Sequence, residues 1–377
     1  MKTVLLLLLT VHGLIHLMGF AKAFGYARLE ALRGPVSRPM GLLWLAAALL
    51  LVTAAALVLL APKLWWWAGA AGLVLSQLAI VSSWKDARFG TLANLLLLLP
   101  VALAALEASP ASPRRAFEQA AKELLARPPA APRLLTEADL APLPGAVQRY
   151  LRFAGAVGKP RVWNYRLRFR GGLREGPKDA WMPVEVQQLS TVRPPARLFL
   201  AQTSKLGLPV AAFHRYVGSA ASFQVKLASL FTVVDAHGEE MTRSETVTLL
   251  NDLCLLAPAA LADSGLSWRE VDADRVEVGF SNAGHTVTAQ LLFDPTGALL
   301  DFISDDRSRS VDGKVYQRLR WSTPIEAWRD FDGRKLPVSA EARWSLPEGE
   351  FAYARFEILE AAYNVESLEP QSELRWF

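Results

Sequence analysis

Two histidines four residues apart, in the stretch TVHGLIHLMGF from Thr10 to Phe20, are the residues of this chain whose type and spacing could most readily do chemistry. On a helix, His12 and His16 lie about 40° apart around the axis, so both could face one ligand. Neutral imidazole is a common ligand of metal ions and of haem iron. A pair supplies only two ligands, however, and no other histidine lies in the apolar N-terminal third. The alternative is a polar contact, with each imidazole hydrogen-bonded to Gln77, Ser76 or Asn94 on a neighbouring helix, because polar side chains in membrane bundles face inward. The second reading carries more weight. It makes His12, His16 and Gln77 a candidate intramembrane polar site.

Elsewhere the sequence offers little chemistry. It contains no Walker loop, HExxH, GxSxG, CxxC or dinucleotide fingerprint, so no catalytic residue, metal ligand or cofactor is assigned. Cys254 is the single cysteine, which excludes a disulfide within the chain and a cysteine-built zinc or iron–sulfur site in one protomer. Glu239, Glu240 and Glu245 stand where a helix starts, and there capping explains acidic residues. The net charge of +5 is modest and much of it borders apolar segments, so nucleic acid is not an expected partner.

The elements that must position these residues fall into two parts. A bilayer core about 30 Å thick needs about 20 apolar helical residues, and the stretches 3–21, 41–61, 64–83 and 90–106 approach or meet that length. Trp65, Trp66, Trp67 and Trp84 suit aromatic belts at the ends of the third stretch. The first stretch also fits a cleavable secretory signal ending at Ala21-Lys22-Ala23, but its apolar run is longer than a usual signal core, so an uncleaved span is expected. Lys22, Arg28, Arg33, Arg38, Lys85 and Arg88 lie in the first and third loops, against Lys2 and Lys63 opposite. That imbalance puts the loops inside and both termini outside, so the C-terminal domain is read as extracytoplasmic.

Residues 108–145 read as a Pro/Ala-rich linker around one short amphipathic helix, Arg115 to Arg127. From 146 to 363 the pattern becomes short runs of period two, at 184–192, 196–202, 209–217, 222–227, 230–235, 274–281, 285–293, 298–304, 314–322, 335–344 and 351–363, after RVWNYRLRFRG. Residues 364–377 form a tail. One helix, opened by a capping box Thr242-Arg243-Ser244-Glu245 and stopped by Pro258, interrupts the strands. The expected fold is therefore a four-span α-helical bundle followed by an α+β domain with a large, curved antiparallel sheet and one main helix. A single helix is too little to cover such a sheet. Trp163, Tyr165, Leu167, Phe169, Phe199 and Phe213 are accordingly candidates to line a ligand surface as well as a core.

The segments HGLIHLMGF, SRPMGLLWLAAALL and SSWKDARFGTLANLLLLLP, joined to LPGAVQRYLRFAGAVGKPRV, VVDAHGEEM and WRDFDGRKLPVSAEARW, resemble an uncharacterised bacterial family of membrane-anchored proteins. In its succession of strands and one helix the second half is also similar to lipoprotein-carrier (LolA/LolB-like) domains. That resemblance implies a curved sheet wrapping a helical plug around a lipid-sized cavity. The expected function is membrane-anchored, non-enzymatic binding of a lipid or other apolar molecule. The rivals are a structural or signalling partner of another envelope protein, and a membrane enzyme using His12 and His16 with a metal or haem.

Overall fold

A computed structural model describes residues 2–126, 133–262, 265–310 and 312–368. The chain divides into two compact units, one ending at Ser112 and the other beginning at Pro113.

The first unit is helical. Helices α1 (Lys2–Ala23), α2 (Arg38–Leu60), α3 (Trp65–Ser82) and α5 (Gly90–Glu107) are each long and apolar enough to cross a bilayer. A single helical turn, α4 (Trp84–Ala87), links the last two. The helices pack as a ring in which α1 touches α2 and α5, and α3 touches α2 and α5. Small residues allow the close approach: a Cβ on Gly19 would collide with the Trp44 ring. Helix α5 runs unbroken through Pro100. Trp67 and Trp84 face outward as a belt requires, whereas Trp65 turns into the bundle core. The first and third loops are tied together, since Asp86 accepts the N–H groups of Arg33 and Gly34 at 2.8 and 2.9 Å. The Gly34 bond first, then that of Arg33 and the nearby Lys22 and Arg33 charges, hold its carboxyl below the usual range.

The second unit opens with three helices that the sequence reading largely absorbs into a spacer. Helix α6 (Pro113–Leu125) buries Phe117, Ala120, Ala121 and Leu125 against Leu189, Leu198, Leu200 and Phe213. It is thus a packed cover of the sheet's outer face, and of the span 108–145 read as a linker, residues 113–126 and 133–145 belong to the β unit. Arg127, Pro128, Pro129 and Pro132 lie outside the described residues. Then come α7 (Glu137–Leu140) and α8 (Gly145–Phe153), the latter burying Val147, Tyr150 and Leu151 at helical spacing where period two is expected to begin.

The strands are β1 (Asn164–Leu173), β2 (Met182–Thr191), β3 (Ala196–Lys205), β4 (Leu208–Val217), β5 (Ala220–Leu227) and β6 (Phe231–His237), then, after helix α9 (Glu239–Leu256), β7 (Ser267–Asp272), β8 (Arg275–Asn282), β9 (His285–Phe293), β10 (Leu299–Ser304), β11 (Ser308–Arg309), β12 (Gln317–Arg318), β13 (Trp321–Ser322), β14 (Ile325–Phe331), β15 (Arg334–Leu346) and β16 (Gly349–Tyr363). Fourteen of them form one antiparallel sheet in the order β6-β5-β4-β3-β2-β1-β16-β15-β13-β10-β9-β8-β7, with β14 beside β15. Strands β6 and β7 are the two ends of that path. β7 lies outside the period-two runs, and 314–322 holds two two-residue strands in place of one continuous strand.

The sheet is curled. Helix α9 packs at once against β5 and β6 near one edge, and against β8, β9 and β10 near the other, which a flat sheet could not allow. Register shifts at Arg168/Phe169, Val225/Lys226, Leu299/Asp301 and Ala342/Arg343 supply local bends. Most of α9 is buried, with Val247, Leu250 and Cys254 fully so. Each such large apolar side chain contributes about 1.5 to 3 kcal/mol. The helix begins four residues earlier than expected, with Gly238 at φ 101° in the N-cap position expected of Thr242. Thr242 therefore caps nothing at the helix start, and its hydroxyl donates to the Gly238 carbonyl at 2.9 Å.

Candidate functional site

Polar groups converge at one place in each unit. In the helical unit, His12 Nε2 lies 2.8 Å from Asn94 Oδ1 and 3.2 Å from Ser76 Oγ. Ser76 Oγ donates to the same Asn94 oxygen at 2.9 Å, and Asn94 Nδ2 donates to Gln77 Oε1 at 2.9 Å. Gln77 in turn donates to Thr91 Oγ1 at 3.3 Å. His12 must carry its proton on Nε2 to serve the Asn94 oxygen. His16 must carry one on Nδ1, which donates to the His12 carbonyl at 2.8 Å.

The structure thus joins His12 and Gln77 through Asn94, and sets His16 beside them. The two imidazole rings meet edge to face, 4.8 Å apart, with their engaged nitrogens aimed at different partners. To hold a metal or haem through Nε2, His12 would have to give up both of its contacts. The donor set does not fit a shared ion as it stands. His16 Nε2 is buried without a hydrogen-bond partner, but the groups around His12 are uncharged and paired with one another, the arrangement that makes a polar contact tolerable among apolar helices.

In the β unit the convergence is ionic and lies under α9. Arg197 Nε of β3 donates to Asp252 Oδ2 at 2.8 Å, and its Nη1 stands 3.3 Å from Glu245 Oε2. Arg307 Nη2 reaches Glu245 Oε1 at 3.3 Å, while Gln188 Nε2 donates to Asp252 at 2.6 Å. His214 Nδ1 stands 3.5 Å from Glu245 Oε2, without the geometry of a hydrogen bond. Burial would raise the Glu245 carboxyl, but His214, Arg197 and Arg307 around it outweigh that and hold it far below its usual range. Burial also pushes Asp252 up against the pull of Arg197 and Gln188, and pushes His214 down despite Glu245.

The capping account of Glu245 therefore fails. The residue sits in the second turn of α9, buried among cations. The cluster's carboxylates are buried and paired with Arg197, Arg307 and Gln188, which suits holding a helix in place better than moving a proton. The end of α9 is held as well: Tyr150 and Tyr363 donate to the carbonyls of Cys254 and Leu256, each at 2.6 Å.

The six aromatic and aliphatic candidates divide between the sheet's two faces. Tyr165, Leu167 and Phe169 point to the α9 side in the main core, and Phe199 packs against that core half-buried. Phe213 and Trp163 pack instead with α6 on the outer face. What α9 leaves incompletely covered on the inner face is an aromatic row. It runs from Phe169 to Phe356 at 5.9 Å, to Phe199 at 6.1 Å, to His214 at 5.8 Å and to Phe223 at 3.9 Å, crossing β1, β16, β3, β4 and β5. Phe199, His214, Phe223 and Phe356 remain half-buried. Register explains the row, because Phe199 pairs with His214 and His214 with Phe223, so all three share one face. Sequence reading missed Phe223 and Phe356, whose strands were legible but whose pairing was not. A separate hollow lined by Ala156, Val162, Pro258 and Tyr363 has no room for a water molecule. Among the described residues no group of three His, Cys, Asp or Glu could hold a metal ion.

Residues 133–356 match the model of a family of unknown function, DUF6544. The chain belongs to that family. No curated protein matches. Among solved structures, this family member is similar to a putative outer membrane lipoprotein-sorting protein domain from Vibrio parahaemolyticus, at 8% identity and a TM-score of 0.32, covering 53% of this chain and 85% of that one. It is also similar to a LolA superfamily protein from Nitrosomonas europaea, at 12% identity and a TM-score of 0.32, covering 58% and 93%. Both likenesses are remote.

Proposed function

We propose that the chain anchors in a bilayer through its four apolar helices and, without catalysing a reaction, holds a lipid or other apolar molecule on its β unit, on the extracytoplasmic side. The half-buried aromatic row of Phe356, Phe199, His214 and Phe223 carries this reading. A contiguous aromatic strip, of phenylalanines with His214 among them, on the inner face of a curled sheet favours an apolar ligand, whose buried area would supply about 25 cal/mol per Å². The ionic cluster and the two tyrosine contacts fix α9, so the ligand would lie beside the helix and need not displace it. The extracytoplasmic side is supported by the six basic residues of the first and third loops, against Lys2 and Lys63 opposite.

The test uses the full chain in detergent, with bound lipid identified by extraction and mass spectrometry and binding followed with a fluorescent fatty acid. Phe199→Asp and Phe223→Asp should each weaken binding while the thermal melt stays close to that of the parent. Equal binding by the parent and both variants would overturn the reading.

A further inference from the structure

One end of the sheet bears three hairpin tips, and two of them, β3–β4 and β5–β6, are built against the usual chemistry of turns. Register puts the β1–β2, β3–β4 and β5–β6 turns at the same end: Leu173 pairs with Met182, Lys205 with Leu208, and Leu227 with Phe231. An ion pair of 3.4 Å between Lys205 and Glu175 joins the first two tips. The Ala228 N–H, donating to the Pro209 carbonyl at 2.7 Å, joins the third to the second.

The β3–β4 turn has Leu206 at φ 52° and Gly207 at φ 79°, a two-residue turn that normally takes Asn, Asp or Gly at its first position. Here a leucine occupies the left-handed conformation and is 99% exposed. At the next tip Leu230 is 55% and Phe231 63% exposed. A turn for water would carry neither the strained backbone nor the apolar apex, so local propensity and solvent exposure conflict at the same residue, which is expected where a site is functional.

We propose that these tips dip into the surface of a lipid bilayer. Leu206, Leu230 and Phe231 would enter the headgroup boundary, with Lys205 and Lys226 set back from the apexes on β3 and β5 where anionic headgroups would meet them. Three observations select a bilayer as the occupant. The same chain carries four helices of bilayer length, so the domain is always within reach of a membrane at high effective concentration. Apolar apexes with lysines behind them match the layering of a bilayer surface. Leu227 and Phe231 also bring the tips to the end of β5, the strand that carries Phe223 of the aromatic row, on the same face. The inference stands whether or not that row holds a ligand.

The experiment places the full chain in nanodiscs of phosphatidylcholine and phosphatidylglycerol and attaches an environment-sensitive dye at Leu206→Cys. Ser219→Cys, in the β4–β5 turn at the opposite end of the sheet, is the reference, and Cys254 is buried and unlabelled. Spin-labelled acyl chains should quench most of the fluorescence at position 206 and leave position 219 unchanged, and Phe231→Asp should reduce the quenching at 206. Equal quenching at both positions overturns the proposal. So does a Leu206→Cys protein that cross-links to a second copy with no lipid quenching, which would give the tips to a protein interface.

Discussion

The two units bury polar side chains by opposite means. Between the helices the network of His12, Ser76, Gln77, Thr91 and Asn94 is built wholly from groups that need carry no charge, each bonded to between one and three of the others. Under α9 the network of Arg197, Glu245, Asp252 and Arg307 is built from full charges, and each carboxylate needs more than one cationic or amide partner. The difference is one of tolerance. A neutral network loses little when one member goes, because the remaining groups find other partners. An ionic network left with an unpaired buried charge loses far more than the net worth of the original pair.

The largest effect that would break this comparison is at Arg197. Arg197→Met leaves Glu245 and Asp252 short of a cation, and should cost about 3 to 5 kcal/mol, a fall in Tm of roughly 10 °C. A melt of the full chain in detergent, followed by far-ultraviolet circular dichroism, measures it. A cost no greater than that of losing a neutral group would mean the charges are already hydrated.

Asp301 sharpens the comparison from the other side, as a carboxyl without a close cation. Burial raises it to about 6, against the pull of the Phe302 and Thr323 backbone bonds. A carboxyl raised in the folded state favours folding most below its unfolded value near 3.8, and that contribution is lost as pH climbs through 6. Asp301→Asn should therefore stabilise the β unit at neutral pH by about 1 to 2 kcal/mol, after allowing for screening at a partly exposed group, and should flatten the decline between pH 4 and 7. Chemical unfolding at several pH values reads both.

In the bundle, Asn94→Leu removes the group that links His12 to Gln77. The expected cost is only about 0.6 to 2 kcal/mol, measured by unfolding the full chain in mixed micelles. A loss as large as that of Arg197→Met would overturn the contrast. The smallest effect belongs to His214, whose imidazole burial holds below its ordinary 6.5. Its neutral form favours the fold above that pH, and the contribution drains away as pH falls. His214→Phe should remove a shallow acid-side slope from the same unfolding series.

These residues also show where the sequence could be read and where it could not. The four membrane-length helices were legible because bilayer thickness imposes a length on composition alone. The partners of His12 were legible because so few polar residues share those helices. Arg197 was not: it stands between Ala196 and Leu198 in a strand covered on both faces, by α9 on one and α6 on the other, so alternation cannot say which side is inside. The same double cover divides Phe213 and Trp163 from Tyr165, Leu167 and Phe169. Glu245 was hidden by its neighbours, since acidic residues at a helix start have a sufficient local explanation until the helix proves to begin at Glu239. Helix α8 was masked by the Pro-rich segment before it, and β7, exposed along nearly its whole length, has no alternation to find.

The two rims of the open sheet are unequally guarded. Along Ser267–Asp272 the β7 rim presents Arg269, Glu270 and Asp272 to solvent, charges that resist the approach of another strand. The β6 rim presents Phe231 and Val233 exposed and carries neither lysine nor proline. When the protein is crowded or warmed, copies should begin to zip together from the Phe231–His237 rim, and a single lysine placed there should keep them apart.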